Sequence, residues 1–328
     1  MRTLLFLCIL AVVVGCGPTE GSQEPVGSTP REKPFKVALL TPGPVSDAGW
    51  SALAYRGLEA VEKELGAEVN HQQATDAQIK DSMRSYAQEG YALVFGHGFE
   101  YNAPGVEVAK DFPGTVFVSS SGGDSAANAG AFRFLLEEGF YLAGMTAGSL
   151  TKSGTVAMIG GPDVPSIRST FKAFRAGAEA ARPGIKVIES FTGSNDDVAK
   201  AKQATAAAIG QGADFVIHQA NAAAQGVFDA CKEGNAKAFG ANSDQNANVS
   251  GVVIASAVIV AEPAFVALAK RVKDGEYRGG IETMRMVDGA IAYVWGDAMA
   301  VPQALKDKIK AAMKEIEAGT LAVPYDRF

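Results

Sequence analysis

Three aromatic residues stand among polar residues in two loops, where they could contact a flat ligand. Trp50 follows the loop "GPVSDAG", and Phe99 and Tyr101 lie in "GHGFEYN". Aromatic faces stack on planar molecules, and a few polar groups around them fix a ligand's orientation. This combination indicates recognition of a small, flat, polar molecule. The other residues predicted to form the site are Asp47, Ser51, Asn102, Ser121, Gly122, Asn195, Asn221, Asp244 and Ser256.

Several of these residues also have a structural interpretation, and the sequence leaves both open. Trp50 lies three residues before Leu53 on the apolar face of a predicted helix, so its ring could belong to the core. Asp47 stands where a carboxylate caps that helix. Asp244 in "GANSDQN" is equally typical of an ordinary turn.

Motifs for catalysis are missing from the sequence. His71, His97 and His218 have no histidine or cysteine partner at metal-ligand spacing, so we expect no metal site. There is no G-x-S-x-G nucleophile motif and no G-x-x-x-x-G-K-[ST] phosphate loop. Aspartates near strand ends could form an acid–base pair, but no nucleophile accompanies them. We therefore expect a binding protein without a cofactor, with a nucleoside-processing hydrolase as the alternative.

Composition points to an ordinary globular protein. The chain of 328 residues is 47% hydrophobic and 20% charged, with a formal net charge of −6. An acidic chain without a basic run lacks the electrostatic attraction that nucleic-acid binding requires. We expect no nucleic-acid partner.

The elements that must position these residues form a repeated α/β pattern. Buried strands such as "KVALLTP" and "ALVFGHG" alternate with amphipathic helices, and a second round begins near Gly154 with "TVAMIGGP". Continuous apolar strands between helices predict parallel sheets covered on both faces, here in two similar lobes. Polar loops follow the strands, so the binding residues should meet at the carboxyl ends of the sheets. Near the C-terminus, "TMRMVDGAIAYVW" is predicted as one strand.

The N-terminus has the pattern of a processed lipoprotein. An apolar run of about a dozen residues, too short to span a bilayer, ends in Val13-Val14-Gly15-Cys16. This ending resembles a lipobox, so residues 1–16 are predicted as signal peptide and lipobox, with the lipid on Cys16. The polar residues 17–35 that follow predict a flexible tether to an envelope membrane.

The chain resembles the basic membrane protein (BMP) family, the substrate-binding lipoproteins of ABC transporters related to the purine nucleoside receptors. The resemblance covers residues 36 to about 295 and is carried by "SDAGWSALAYRGLEAV", "EEGFYLAGMTAGSLTKSGTVAMIGG", "GADFVIHQAN" and "AFGANSDQN". It implies an α/β, type 1 periplasmic-binding-protein fold with two Rossmann-like lobes joined by three crossovers. Lobe 1 would hold residues 36–127 and 257–283, and lobe 2 residues 128–256 and 284–328.

The resemblance also implies a ligand. Purine nucleoside binders of this family clamp the base between aromatic rings and hold the ribose with an Asp and a Lys. Trp50 matches the first aromatic position and Asp244 the ribose-side Asp, whereas Asn195 stands at the second aromatic position and Ile259 at the lysine position. The missing lysine makes a free base or another flat heterocycle an alternative to a nucleoside.

The function implied is that of a lipid-anchored receptor of an ABC importer. It would capture a purine nucleoside or purine base, pass it to a membrane permease and act as a monomer. The alternative with the same fold is a receptor for a sugar or another small metabolite.

Overall fold

The computed structural model describes residues 34–47 and 49–327. The predicted signal peptide, the lipid site at Cys16 and the predicted tether up to Lys33 lie outside the described residues. All statements below concern the described part of the chain.

Strands and helices alternate along most of this part. The strands are β1 (Lys36–Thr41), β2 (Glu68–Gln73), β3 (Leu93–Gly96), β4 (Val116–Ser119), β5 (Ala129–Phe134), β6 (Thr155–Gly160), β7 (Lys186–Phe191), β8 (Phe215–Gln219), β9 (Lys237–Asn242), β10 (Val253–Ile259), β11 (Gly280–Met284) and β12 (Ile291–Trp295). The helices are α1 (Trp50–Leu65), α2 (Gln78–Gln88), α3 (Asn102–Ala109), α4 (Glu137–Leu150), α5 (Pro165–Ala181), α6 (Val198–Gly210), α7 (Ala224–Glu233), α8 (Glu262–Lys273) and α9 (Gln303–Glu317).

The strands form two six-stranded sheets, one in each lobe. The first has the order β11-β5-β4-β3-β1-β2, and the second has the order β12-β10-β9-β8-β6-β7. Neighbouring strands are parallel except for β10 and β12, which are antiparallel. Central strands such as β3 and β6 are buried along their whole length, because helices cover both faces of a parallel sheet. The chain crosses between the sheets after β5, β10 and β11, which confirms the predicted fold.

The lobe boundaries differ from the predicted ones by one strand. β5 pairs with β4 and β11, so the first crossover follows Phe134 and not Ala127. β10 pairs in the second sheet as far as Ile259. The segment predicted as one strand forms β11 and β12 in different sheets, because a turn that contains Gly289 at φ 73° separates them.

Close helix packing positions the second-lobe side of the cleft. A Cβ on Gly144 of α4 would lie 2.0 Å from the carbonyl oxygen of Phe174 in α5. A Cβ on Gly177 of α5 would lie 2.0 Å from the carbonyl oxygen of Tyr141 in α4. The two backbones are therefore in direct contact, and only glycine fits at these positions. This contact fixes α5, whose first turns reach the cleft, relative to the crossover helix α4.

Candidate ligand-binding cleft

A cavity of about 740 Å³ lies between the lobes, at the carboxyl ends of the strands of both sheets. This volume is in the range of small-molecule sites in proteins. Loops after β1, β3 and β4 form one wall, and loops after β7, β8 and β9 form part of the other. Representative residues of the wall are Trp50, Phe99, Ser121, Asn195, Asn221 and Asn242.

Trp50 contacts both the core and the cavity. Its indole packs against a cluster of buried apolar residues that includes Leu53 and Phe265, and it also lines the cleft, so both interpretations left open by the sequence apply. One face stacks on His97, with ring centroids 3.9 Å apart and an angle of 25° between the planes. The indole Nε1–H donates to the carbonyl oxygen of His97 at 3.1 Å. These contacts fix the plane of the ring.

His97 is the buried support of that indole. Its Nε2 lies 2.8 Å from the carbonyl oxygen of Trp50, which can only accept, so Nε2 carries the proton. The side chain is fully buried, and this burial lowers the His97 pKa to about 3. The imidazole is therefore neutral at physiological pH and serves as a flat, uncharged platform.

Asp47 caps helix α1. Its carboxylate accepts hydrogen bonds from the backbone N–H groups of Gly49 (2.9 Å), Ser51 (2.8 Å) and Ala52 (3.0 Å). A carboxylate at a helix N-terminus also interacts favourably with the helix dipole. Asp47 and Ser51 do not line the cavity, so their place in the structure is at the helix start and not on the ligand wall.

Three buried polar atoms of residues in the cavity wall have no protein partner among the described residues. They are Ser120 Oγ and Ser121 Oγ, directly after β4, and Asn242 Oδ1, at the end of β9. A buried polar group without a partner costs free energy, so native proteins rarely retain one without a reason. Hydrogen bonds from a polar ligand would remove this cost. Ser121 was predicted from the sequence, whereas Ser120 and Asn242 were not.

Three residues predicted for the ligand wall instead support the loops after β2 and β4. The Tyr101 ring is 1% exposed in the core, and its hydroxyl donates to the carbonyl oxygen of Ala74 at 2.6 Å. The Asn102 side chain donates to Asp124 O at 3.0 Å and accepts from Asp124 N at 2.8 Å. Gly122 has φ 133°, and a Cβ there would lie 2.3 Å from Asn102. None of the three lines the cavity.

Two further predicted residues lie outside the cleft in the second lobe. Asp244 is exposed, and its carboxylate accepts from the backbone N–H of Asn246 at 3.0 Å, as in an ordinary turn. Ser256 is fully buried, where its hydroxyl donates to Asn246 Oδ1 at 3.0 Å and accepts from Gln245 N at 3.1 Å. Both residues shape the β9–β10 connection.

Asn195 and Ile259, at the two positions that depart from the family pattern, do line the cavity. A Cβ on Gly161 would lie 2.3 Å from Asn195 Oδ1, so the glycine leaves room for this amide in the cavity wall. Ile259 is 3% exposed and presents an apolar surface. The structure thus has an amide and an alkyl group at the positions where the family's nucleoside binders have an aromatic ring and an ammonium group.

The charge of the cleft disfavours anionic ligands. Arg133 is the only basic residue among the described residues that line it, and its guanidinium pairs with the buried Glu137 carboxylate. Burial raises the Glu137 pKa, and the Arg133 charge opposes that effect. Asp76, Glu100 and Asp196 also line the cavity. The cleft therefore has no unpaired cation for a phosphate group.

Comparisons with known proteins identify the class of protein to which this fold and cleft belong. An ABC transporter solute-binding protein from Conexibacter woesei has a solved structure with 26% identity and a TM-score of 0.71, over 89% of this chain and 99% of that one. The chain thus has the fold of type 1 periplasmic solute-binding proteins. Residues 35–325 match the Bmp family, described as ABC transporter substrate-binding protein PnrA-like, and the chain belongs to this family. The resemblance stated from the sequence is confirmed.

Two relatives that match over more than four fifths of both chains have names that state a ligand. A purine-binding protein of Brucella abortus is 27% identical, over 89% of this chain and 82% of the relative. The ABC transporter nucleoside-binding protein BmpA of Lactococcus lactis is 28% identical, over 97% of this chain and 96% of the relative. Membership of the family implies a small-molecule ligand, a permease partner and an extracytoplasmic location.

The described residues contain neither a cluster of metal ligands nor a membrane-spanning helix. Residues 34–47 and 49–327 contain no group of His, Cys, Asp and Glu that could hold a metal ion. No helix in this part of the chain is long and apolar enough to cross a membrane.

Proposed function

We propose that the protein captures a purine nucleoside or a purine base in the interlobe cleft, as the lipid-anchored receptor of an ABC importer. The observation that carries this proposal is the set of unpartnered buried atoms, Ser120 Oγ, Ser121 Oγ and Asn242 Oδ1, beside the fixed indole of Trp50. A purine offers a ring face for the indole and polar edge atoms for the hydroxyl and amide groups. The ligands named for two relatives support the same class.

Each wall of the cleft would contribute a different interaction. The indole face not covered by His97 would stack on the ring, and Phe99 would add a second apolar contact. Ser120, Ser121 and Asn242 would form hydrogen bonds to the ligand, and Asn195 would face it from the second lobe. Water is excluded when the lobes close, so these hydrogen bonds also provide specificity.

The charge of the cleft favours a neutral ligand over a nucleotide. A phosphate group would lie near acidic side chains such as Glu100, and the Arg133 guanidinium is already engaged by Glu137. Burial raises the Glu100 pKa, and the Asp76 charge raises it further. Both effects disfavour negative charge in this part of the cleft, so they would also disfavour an added anion. We expect nucleoside monophosphates to bind far more weakly than the matching nucleosides.

Ile259 favours a free base within this class. An alkyl side chain in the wall cannot donate a hydrogen bond to a ribose hydroxyl, so a sugar there gains less than it would from an ammonium group. We therefore expect purine bases to bind at least as tightly as their nucleosides.

Lipid anchoring through Cys16 is part of this proposal. An anchor with a polar tether would hold the receptor close to its permease and keep its cleft free to open. Mass spectrometry of the mature N-terminus tests it: a diacylglyceryl group on Cys16 would support the anchor, and an unmodified N-terminus elsewhere would refute it.

Isothermal titration calorimetry tests the ligand class. Protein lacking residues 1–16 keeps every described residue and would be titrated with adenosine, guanosine, inosine, adenine, guanine and xanthine. Adenosine monophosphate and ribose serve as matched controls for the phosphate and for the sugar alone. We expect at least one purine to bind with a Kd well below about 1 mM.

Other outcomes distinguish the alternatives. Ribose or glucose binding without any purine binding would favour a sugar receptor of the same fold. Release of free base from a nucleoside during long incubation would favour a hydrolase. Binding of adenosine monophosphate as tight as that of adenosine would contradict the electrostatic argument.

A further inference from the structure

Asn221 lines the cleft, yet its amide group is already engaged by the opposite lobe. It begins the short 3-10 turn Asn221–Ala223 that follows β8 of the second sheet. Its Oδ1 accepts from the backbone N–H of Trp50 at 2.8 Å, and its Nδ2 donates to Asp47 Oδ2 at 2.9 Å. Both bonds cross from the second lobe to the first.

These bonds complete the cap of helix α1. The first N–H groups of a helix lack partners within the helix and need other acceptors. Asp47 accepts from Gly49, Ser51 and Ala52, and the remaining N–H, that of Trp50, donates to Asn221. The cap of α1 is therefore complete only when the lobes are together.

The backbone on both sides is suited to this contact. Asn221 has φ 47°, in the left-handed region that asparagine tolerates better than most residues. Gly49 opposes it, and a Cβ on Gly49 would lie 2.6 Å from Asn221 Oδ1. A larger residue at position 49 would keep the amide away from the helix start.

We propose that Asn221 is a closure latch, a positioning residue that stabilises the closed cleft without contacting the ligand. This inference rests on the proposed function only in assuming that the ligand binds between the lobes. A ligand that binds the closed form has an apparent affinity proportional to the fraction of closed protein. Loss of the latch should therefore weaken every ligand by the same factor.

The test compares Asn221→Ala and Asn221→Asp with the control Asn195→Ala, on protein lacking residues 1–16. Adenine and adenosine would be titrated by calorimetry, and small-angle X-ray scattering would give the radius of gyration of each ligand-free protein. We expect Asn221→Ala to weaken both ligands equally, by roughly 5- to 160-fold for two lost hydrogen bonds. Asn221→Asp should weaken them further, because its carboxylate would face that of Asp47.

The scattering and the control separate the latch from a ligand contact. We expect a larger radius of gyration for both Asn221 variants than for the unmodified protein and for Asn195→Ala. A change in the ratio of adenine to adenosine affinity for Asn221→Ala would overturn the proposal, because it would indicate a ligand contact. Unchanged affinities together with an unchanged radius would also overturn it.

Folding and ligand identity are controlled separately. Circular dichroism and urea unfolding show whether each variant is folded, and Asn221→Ser replaces Asn221→Ala if the latter is not. If no compound binds, the proposed function fails and the radius alone decides the latch: a larger radius supports it, and equal radii refute it.

Discussion

Replacing Ser121 by alanine should produce two changes of opposite sign. Ser121 is 5% exposed, and its buried hydroxyl has no partner among the described residues, so the folded protein carries an unmet hydrogen-bonding group in the closed cleft. Alanine removes this group, and we expect the free energy of unfolding without ligand to stay equal or to rise by at most about 1 kcal/mol. Ligand affinity should fall by about 0.5–1.5 kcal/mol, or roughly 2- to 12-fold.

Ser51 provides a matched control within the same protein. Ser51 is 0% exposed, and its hydroxyl is also without a partner in the described part of the chain, but the residue does not line the cavity. Ser51→Ala should raise stability by about 1 kcal/mol, because alanine also favours the helix, and should leave ligand affinity unchanged. The two variants thus share a stability effect and differ in binding.

The assay combines urea unfolding without ligand and calorimetric titration with the tightest purine. Ser120→Ala should behave like Ser121→Ala, and the double variant should lose about 1–3 kcal/mol of binding free energy. Unchanged affinity for the double variant would refute the assignment of these hydroxyls to the ligand. A clear loss of stability in Ser121→Ala would refute the argument that its hydroxyl is unpaired.

Three further predictions concern the indole, the core and pH. Trp50→Ala should weaken purine binding by roughly 1–3 kcal/mol in calorimetry, the range for stacking of a base on an aromatic ring; a loss of stability with unchanged affinity would assign the ring to the core alone. Gly177→Ala should lower the midpoint of urea unfolding, since its Cβ would lie 2.0 Å from a backbone oxygen, whereas Gly210→Ala, with no atom within 4 Å, should not. Burial lowers the His218 pKa to about 4, so below pH 6.5 only the unfolded chain gains its proton and stability falls as the pH falls. His218→Gln should therefore flatten the slope of unfolding free energy against pH between about 4.5 and 6.5, by roughly 1 kcal/mol per pH unit; an unchanged slope would contradict the shift.

The repeated strand–helix pattern was sufficient to predict two lobes with parallel sheets, because central strands buried on both faces are continuous apolar runs. The three crossovers were implied by the family resemblance. β5 was missed because its sequence, "AGAFRF", contains small residues where another backbone approaches. A Cβ on Gly130 in β5 would lie 2.1 Å from the carbonyl oxygen of Gly280 in β11. The need for a small residue at this position depends on a partner strand distant in sequence, so the periodicity of apolar residues alone does not reveal it.

The candidate site was harder to predict at the level of single residues. Phe99 and Tyr101 are two residues apart, yet the short turn Phe99–Tyr101 directs one ring to the cavity and the other to the core. β9 continues to Asn242, so the strand-end position falls two residues before Asp244. Asn242 is therefore the residue of this segment that lines the cavity, whereas Asp244 lies in an exposed turn.

The contacts that cross the cleft could not be derived from sequence at all. Asp47 and Asn221 are far apart in the chain, and their hydrogen bond exists only because the two lobes meet. The sequence indicated that both residues follow strands, which is why both were assigned to the site. It contained no information on whether the amide of Asn221 and the carboxylate of Asp47 would form hydrogen bonds to the ligand or to the protein.

The most direct test of the central claim is to identify the molecule that the protein carries when purified from its own cells. The protein would be unfolded in acid, and the released small molecules would be identified by mass spectrometry. We expect a purine base or nucleoside without phosphate, in an amount close to that of the protein. A sugar, a nucleotide or another non-purine metabolite in its place would contradict it.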